Sequence, residues 1–262
     1  MAEIELFDDE TLTPVNDGLS LIQKKDGLTF GSDAYLLAAY VRRQSRAKAA
    51  DLGSGTGIIP LLMLARDKVA SVTALEVQPG FAGLIERNAR LNSFEDRLSA
   101  VCADVREYKP GQGLAGQGLG SFDVVTANPP YMKTSGRRNE SERKYIARHE
   151  VMGGVSDFCK AAARLLRNGG LFYVVWRPDR LGGLMSGLAC AGLEPKRMTF
   201  VHSRAGLPPC LVLCEAKKEA SEGLFVTPPL IMYSDEPGRC EYTPGLAKIY
   251  ETGDFDEHYK RP

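Results

Sequence analysis

Four consecutive residues, Asn128-Pro129-Pro130-Tyr131, follow directly on the apolar run Phe122 to Ala127 and combine groups suited to one kind of chemistry. The asparagine side-chain oxygen can accept one N–H, and the Pro129 carbonyl can accept another. Two prolines fix the local backbone and remove competing donors, so the segment offers acceptors to a planar NH2 group. Tyr131 adds a flat face for a planar target. An exocyclic ring amine is a weak nucleophile because its lone pair is delocalised into the ring. Accepting both of its protons favours a pyramidal nitrogen, held in line for attack on an electrophile.

A second constellation lies upstream, in Asp51-Leu52-Gly53-Ser54-Gly55-Thr56-Gly57, which leads into the apolar helix Ile58 to Ala65. Gly53, Gly55 and Gly57 let the backbone turn sharply and approach a ligand above exposed helix N–H groups. A dinucleotide fingerprint needs a third glycine that is missing: the sixth position is Ile58 counting from Gly53 and Pro60 counting from Gly55. Asp51 at the strand tip would repel a pyrophosphate but can accept from an ammonium. The charge therefore favours S-adenosyl-L-methionine over a nicotinamide dinucleotide. Glu76, about twenty residues on, stands where an acid receives ribose hydroxyls. Asp104 follows the next strand, where a carboxylate could accept from the cofactor's adenine amino group. Three successive strand tips each carry one acid beside a glycine loop.

Such residues need a scaffold, and the chain supplies the pattern of one. Short apolar runs predict strands at Ala47 to Leu52, Ser71 to Glu76, Leu98 to Ala103, Phe122 to Ala127, Gly170 to Trp176, Lys196 to His202 and Cys210 to Glu215. Helical periodicity predicts helices at Gly57 to Arg66, Pro79 to Asn92, Ser156 to Leu166 and Asp179 to Ala191. The alternation implies an α/β fold with a doubly wound, mostly parallel seven-stranded sheet and functional loops after the strand C-termini. Ser203 to Pro209 is too short for a crossover, so the last two strands form an antiparallel hairpin. Ser156 reads as a helix start, and Asn168-Gly169-Gly170 as a left-handed helix stop. The expected organisation is an N-terminal segment, 1–46, packed over the cofactor site, a catalytic domain, 47–221, and an irregular tail, 222–262. The stretch Arg106 to Ser121, with five glycines, reads as a flexible insertion without chemistry.

Composition narrows the field less. Among 262 residues, Lys plus Arg equals Asp plus Glu at 33 each, so a nucleic-acid partner would have to use a local patch. The six cysteines are scattered among apolar neighbours without a C-x-x-C pair, which predicts buried thiols in a reducing compartment and no metal framework. Cys210 and Cys214 would share one face of a strand, and Lys217 stands where an iron–sulfur motif would need a further cysteine. The acidic start, Met1 to Asp9, lacks the order of a signal peptide, and no run reaches the length of a membrane span, so a cytoplasmic protein is expected. Oligomeric state leaves no signature.

With these residues in hand, the chain resembles the Class I, Rossmann-like S-adenosylmethionine-dependent amino-methyltransferases, whose hallmark tetrapeptide stands at Asn128 to Tyr131. More narrowly, it is similar to the bacterial valine-tRNA adenine-N6 methyltransferase family, which modifies the adenine beside the anticodon. That similarity rests on Phe30-Gly31-Ser32-Asp33-Ala34, Arg148-His149-Glu150, Val201-His202-Ser203-Arg204-Ala205-Gly206 and Tyr242-Thr243-Pro244. The resemblance implies that the segment holding Phe30 and Asp33 folds over the cofactor, although Ser32 and Asp33 also suit a helix start. The family often has Pro where Ser203 stands and a basic residue near Leu207, so one phosphate contact that the resemblance implies is missing here. The loop after the tetrapeptide supplies Lys133, Arg137, Arg138, Arg143, Lys144 and Arg148 against Glu140 and Glu142, placed to hold phosphates around an extruded base. His149 and His202 read as structural histidines.

The implied function is N6 methylation of an adenine in RNA, in a tRNA anticodon loop. A glutamine amide also presents a planar NH2, so protein N5-glutamine methylation of release-factor type is the nearest rival. Only about fifty residues precede Asp51, too few for a separate substrate domain of typical size. A noncatalytic RNA-binding protein with a retained methyltransferase fold would be expected to have lost Asn128 or the acidic tips. A nicotinamide oxidoreductase is disfavoured by the glycine spacing and Asp51.

Overall fold

In the computed structural model the described residues are 5–25, 30–109, 120–130, 154–234 and 241–260. The seven expected strands are present as β3 (Lys48–Leu52), β4 (Ser71–Glu76), β5 (Leu98–Cys102), β6 (Phe122–Ala127), β7 (Leu166–Trp176), β8 (Leu193–His202) and β9 (Pro209–Lys218). They lie side by side in the order β8-β9-β7-β6-β3-β4-β5. β5, β4, β3, β6 and β7 run parallel. β9 is inserted between β7 and β8, antiparallel to both. The hairpin expected from the short loop is therefore real, and its return strand fills the gap beside β7.

Alternation along β7 shows how both faces are covered. Phe172, Val174 and Trp176 point into the core with helices α4 (Val155–Leu165) and α5 (Leu181–Cys190), while Tyr173 and Val175 point to the opposite core. That second core is closed by α1 (Ser32–Tyr40) and α2 (Ile58–Ala65), with α3 (Pro79–Leu91) completing the layer. Strands buried on both faces explain why the sequence shows continuous apolar runs where a half-exposed sheet would alternate.

The N-terminal segment contains a hairpin, β1 (Glu10–Pro14) and β2 (Ser20–Lys24), that no sequence pattern announced. It is fastened to α3 by two asparagines that imitate a neighbouring strand. The Asn88 Oδ1 accepts from Ile22 N at 2.7 Å, and its Nδ2 donates to the Ile22 and Thr56 carbonyls at 3.1 and 2.9 Å. Asn92 bonds both backbone groups of Ser20 in the same way. Asn88, fully buried, thus ties the hairpin and α3 to the end of the glycine loop.

Four expectations are corrected. The residues expected as an irregular tail carry two short strands, β10 (Phe225–Val226) and β11 (Leu230–Ile231), parallel to β8, and a helix, α6 (Pro244–Thr252). Thr243 caps α6 by accepting from Leu246 N, and Leu246, Ile249, Phe255 and Tyr259 enter the core. The glycines at Asn168-Gly169-Gly170 do not stop a helix: α4 ends at Leu165 and passes straight into β7, where Gly169 takes a left-handed φ of 74° beside a register shift against β6. The start of α4 is Val155 rather than Ser156, with Gly154 N donating to Asp157 at 2.9 Å. Of the cysteines, Cys159 and Cys214 are buried as expected, but Cys102, Cys190 and Cys210 are exposed. Residues 110–119 of the glycine-rich insertion lie outside the described residues, and no described helix is long and apolar enough to cross a membrane.

Candidate functional site

The site forms where β3 and β6 end together. Leu52 and Ala127 are register partners, so Gly53 and Asn128 leave the sheet side by side. Gly53, Gly55 and Gly57 all adopt positive φ, at 68°, 57° and 84°. At Gly57, the N-cap of α2, a side chain would be strained by φ and would also meet Ile85 at 3.3 Å. Gly53 N and Ser54 N both donate to the Leu75 carbonyl, at 2.9 and 3.0 Å, which folds the loop back over the tip of β4. A Cβ at Gly55 would meet no protein atom within 4 Å, so the outer side of the loop is open to a ligand.

Glu76, last residue of β4 and 1% exposed, organises this loop. Its Oε2 accepts from Gly55 N at 2.9 Å and its Oε1 from Gln78 N at 3.0 Å. A carboxylate has about four acceptor positions, so it can hold the loop and still receive hydroxyls.

Asp51 has a different setting from the one its sequence position suggested. Expected as an acceptor facing the ligand, it is 1% exposed and lies beneath the loop. Its Oδ2 accepts from Ser54 Oγ and its Oδ1 from Thr126 Oγ1, both at 2.6 Å. Gly53 turns the chain so that Ser54 returns over the strand end and takes the carboxylate inward. Burial pushes the Asp51 carboxyl up to about 6, against the two hydroxyl donors, with the nearby Glu76 charge acting in the same direction as burial. The folded state therefore holds a proton on this group at pH values where the unfolded chain, titrating near 3.8, has lost it. Its contribution to stability is full below the unfolded value and is lost as pH rises through about 6. Asp51→Asn should remove that loss. The stability difference between wild type and variant should shift by up to about 3 kcal/mol between acid and neutral pH. Chemical denaturation across the range checks this, and parallel profiles would refute it.

Asp104 also has a partner the sequence did not announce. Arg106 donates to both of its oxygens through Nε at 3.0 Å, and Arg106 N adds a bond of 2.8 Å. These bonds hold the Asp104 carboxyl below its usual range. Asp104 lines a small, mostly apolar slot with Gly53, Val77, Val105 and Phe158 beside the glycine loop. Phe158 comes from α4, packs within 3.3 Å of where a Gly53 Cβ would stand, and was not singled out from sequence.

Asn128 is anchored by Asp33. Its Nδ2 donates to Asp33 Oδ2 at 3.0 Å, while Asp33 Oδ1 accepts from Ala34 N at 2.9 Å in the first turn of α1. Gly31, not Ser32, is the N-cap of that helix. An ionised carboxylate only accepts, so the amide NH2 must face Asp33 and the amide oxygen must point the other way. Asp33, expected over the cofactor, is here the residue that orients the asparagine. Phe30 packs against the core alongside α1. Pro129 and Pro130 continue from Asn128, whereas Tyr131, Lys133, Arg137, Arg138, Arg143, Lys144, Arg148 and His149 lie outside the described residues. His202, at the end of β8, is held through Nδ1 by the Leu207 carbonyl at 2.7 Å, in keeping with a structural role.

Comparison with known proteins places the chain among methyltransferases. Residues 25–182 match the family model of the methyltransferase small domain. A tRNA1(Val) (adenine(37)-N6)-methyltransferase of Bacteroides fragilis is 31% identical over 185 residues, covering 71% of this chain and 75% of the relative. One of the same name from Porphyromonas gingivalis is 28% identical over 189 residues, covering 71% and 72%. Among solved structures, a predicted O-methyltransferase of Agrobacterium tumefaciens superposes with a TM-score of 0.67 at 26% identity, covering 86% of this chain and 98% of its own. M. jannaschii TYW2 in complex with AdoMet shares the fold at a TM-score of 0.54 and 14% identity, covering 82% and 88%.

Proposed function

The chain belongs to the methyltransferase small-domain family, and from that premise we propose that it transfers the methyl group of S-adenosylmethionine to N6 of an unpaired adenine in tRNA, in the anticodon loop. The observation that carries this reading is Asn128, at the tip of β6 beside the glycine loop, with its amide orientation set by Asp33.

The residues suit the cofactor. The open outer side of Gly55 leaves room for it, Glu76 would receive the ribose hydroxyls, and Gly53, Val77 and Phe158 would border the adenine ring with Asp104 at its edge. Asp51 would contribute negative charge from below. α1 brings Asp33 to the same place, so the segment up to residue 46 would close one side. When bound, the cofactor supplies an electrophilic methyl group on a sulfonium centre. The protein's part is orientation. The Asn128 oxygen and the Pro129 carbonyl accept the two amine protons, which localises the lone pair on nitrogen and aims it.

Two acceptors favour an amine over a hydroxyl, which has one proton to donate. They do not separate adenine from a glutamine amide, and here the named relatives support the nucleic acid. An unpaired loop base has the smallest unstacking cost, a few kcal/mol less than a paired one. The basic run Lys133 to Arg148 would add phosphate contacts independent of sequence. Reversing Arg137 and Arg138 to Glu should raise KM for tRNA about tenfold or more with a smaller change in kcat, and flatten the salt dependence of binding. A kcat effect without a KM effect would count against phosphate contact. The cytoplasm, where tRNA is found, is the expected site of action.

The reading is tested by methyl transfer from labelled cofactor into total tRNA, duplex DNA and release-factor protein in parallel. Label is expected in tRNA as N6-methyladenosine. Label in the release factor with none in RNA would overturn it in favour of the glutamine substrate.

A further inference from the structure

Four tyrosines form a continuous row at the end of the sheet where the site lies. Tyr35 stands on α1, two residues beyond Asp33, and its ring centroid is 4.6 Å from that of Tyr250 on α6. Tyr250 stacks on Tyr242 at 5.1 Å with the planes only 14° apart. Tyr242 meets Tyr233 at 5.8 Å, and the two residues also form an antiparallel bridge. Tyr35 is 6% exposed, Tyr250 and Tyr233 are half-buried against the core, and Tyr242 between them is 50% exposed.

The row's position follows from topology. β8 and β11 run in the same direction as β3 and β6, so the residues after them emerge at the same end of the sheet as Gly53 and Asn128. Tyr233 follows β11, its N–H bonded to the Ser203 carbonyl at 3.0 Å. There the β8–β9 loop adjoins, with Arg204 donating to the Ser234 carbonyl and with Leu207 50% exposed. The row therefore leads from the helix that orients Asn128 outward to an accessible rim carrying a guanidinium.

Tyrosines needed only to pin the tail would be expected to bury their rings; half of Tyr242 is left in solvent while Tyr250 stacks on it and the tilted Tyr233 ring braces it as well. A braced, exposed aromatic ring near a site for an extruded base is suited to stack a second unpaired base. We propose that Tyr242 is a stacking platform for a nucleobase flanking the target adenine, and that Tyr233, Tyr250 and Tyr35 hold it rigidly. This rests on the reading of the chain as an RNA methyltransferase.

Tyr242→Leu keeps an apolar side chain against Tyr250 but removes the flat face, and Tyr242→Trp keeps it. The leucine variant should raise KM for tRNA about tenfold with kcat and cofactor affinity nearly unchanged, whereas the tryptophan variant should stay near wild type. The other tryptophan, Trp176, is buried, so the Tyr242→Trp variant should also gain a fluorescence signal quenched by tRNA. Unchanged KM in Tyr242→Leu, or no added quenching in Tyr242→Trp, overturns the platform while ordinary wild-type tRNA methylation leaves the function standing. A drop in melting temperature with unchanged KM would assign the row to packing alone. Failure of the wild type to methylate any RNA removes both proposals.

Discussion

Asn128→Ala should lower kcat by at least about a thousandfold while leaving the dissociation constant for S-adenosylmethionine within about threefold. The expectation follows from where the side chain is attached. Asn128 is the first residue after β6, and the contact described for its amide nitrogen is with Asp33, a residue of α1. Removing the side chain deletes an acceptor for the target amine and leaves the glycine loop, Glu76 and the Phe158 slot untouched. Asp33→Ala should give a milder form of the same defect, because the amide would remain but lose the partner that fixes its orientation. Asp33→Asn should recover part of the rate, since its side-chain oxygen can still accept from the Asn128 NH2. Single-turnover rates with calorimetric cofactor binding measure both quantities. An Asn128→Ala enzyme with a near-normal rate would contradict the amine-orienting role.

The second large effect is expected at Glu76. This carboxylate accepts from two backbone N–H groups that shape the loop and would accept from the ribose as well. Hydrogen bonds to a charged acceptor contribute roughly 1.5–3 kcal/mol each. Glu76→Ala loses the ribose contact and releases Gly55, so cofactor affinity should fall about a hundredfold. Glu76→Gln keeps one acceptor oxygen and should fall less. NAD should bind neither protein. Calorimetry that finds Glu76→Ala within threefold of wild type would show that the ribose is held elsewhere.

Legibility of the molecule followed the range of the interactions involved. The strands β4 and β6 match their predicted limits, and the others differ at the ends, because apolar runs buried on both faces are strong local signals. The tetrapeptide, the glycine loop and Glu76 were readable for a similar reason: their residue types and spacing are local. What escaped depends on long-range pairing. The Asn128–Asp33 bond joins residues 95 positions apart, and Asp51 turned inward because Thr126, 75 positions away, meets it across the sheet. The tail helix α6 escaped because Pro228-Pro229 and Pro237-Gly238 ahead of it make the whole tail read as irregular, whereas Pro244 occupies the first turn of a regular helix. Lys68 and Arg197 look like surface charges in sequence. Both are buried: Lys68 bonds the carbonyls of Ala39 and Val41 and pairs with Asp254, and Arg197 pairs with Glu215 at 2.8 Å over the face of Tyr40. These pairs clamp the end of α1 between the sheet and the tail, and no pattern of neighbours could have revealed them.

The central claim is that the chain methylates N6 of an adenine in tRNA, and its most direct test is nucleoside mass spectrometry of tRNA from a strain lacking the gene. N6-methyladenosine should disappear from one tRNA species at an anticodon-loop adenine and return on expression of the wild type but not of Asn128→Ala. Unchanged N6-methyladenosine in every tRNA, accompanied by loss of methylglutamine from a release factor, would contradict the account.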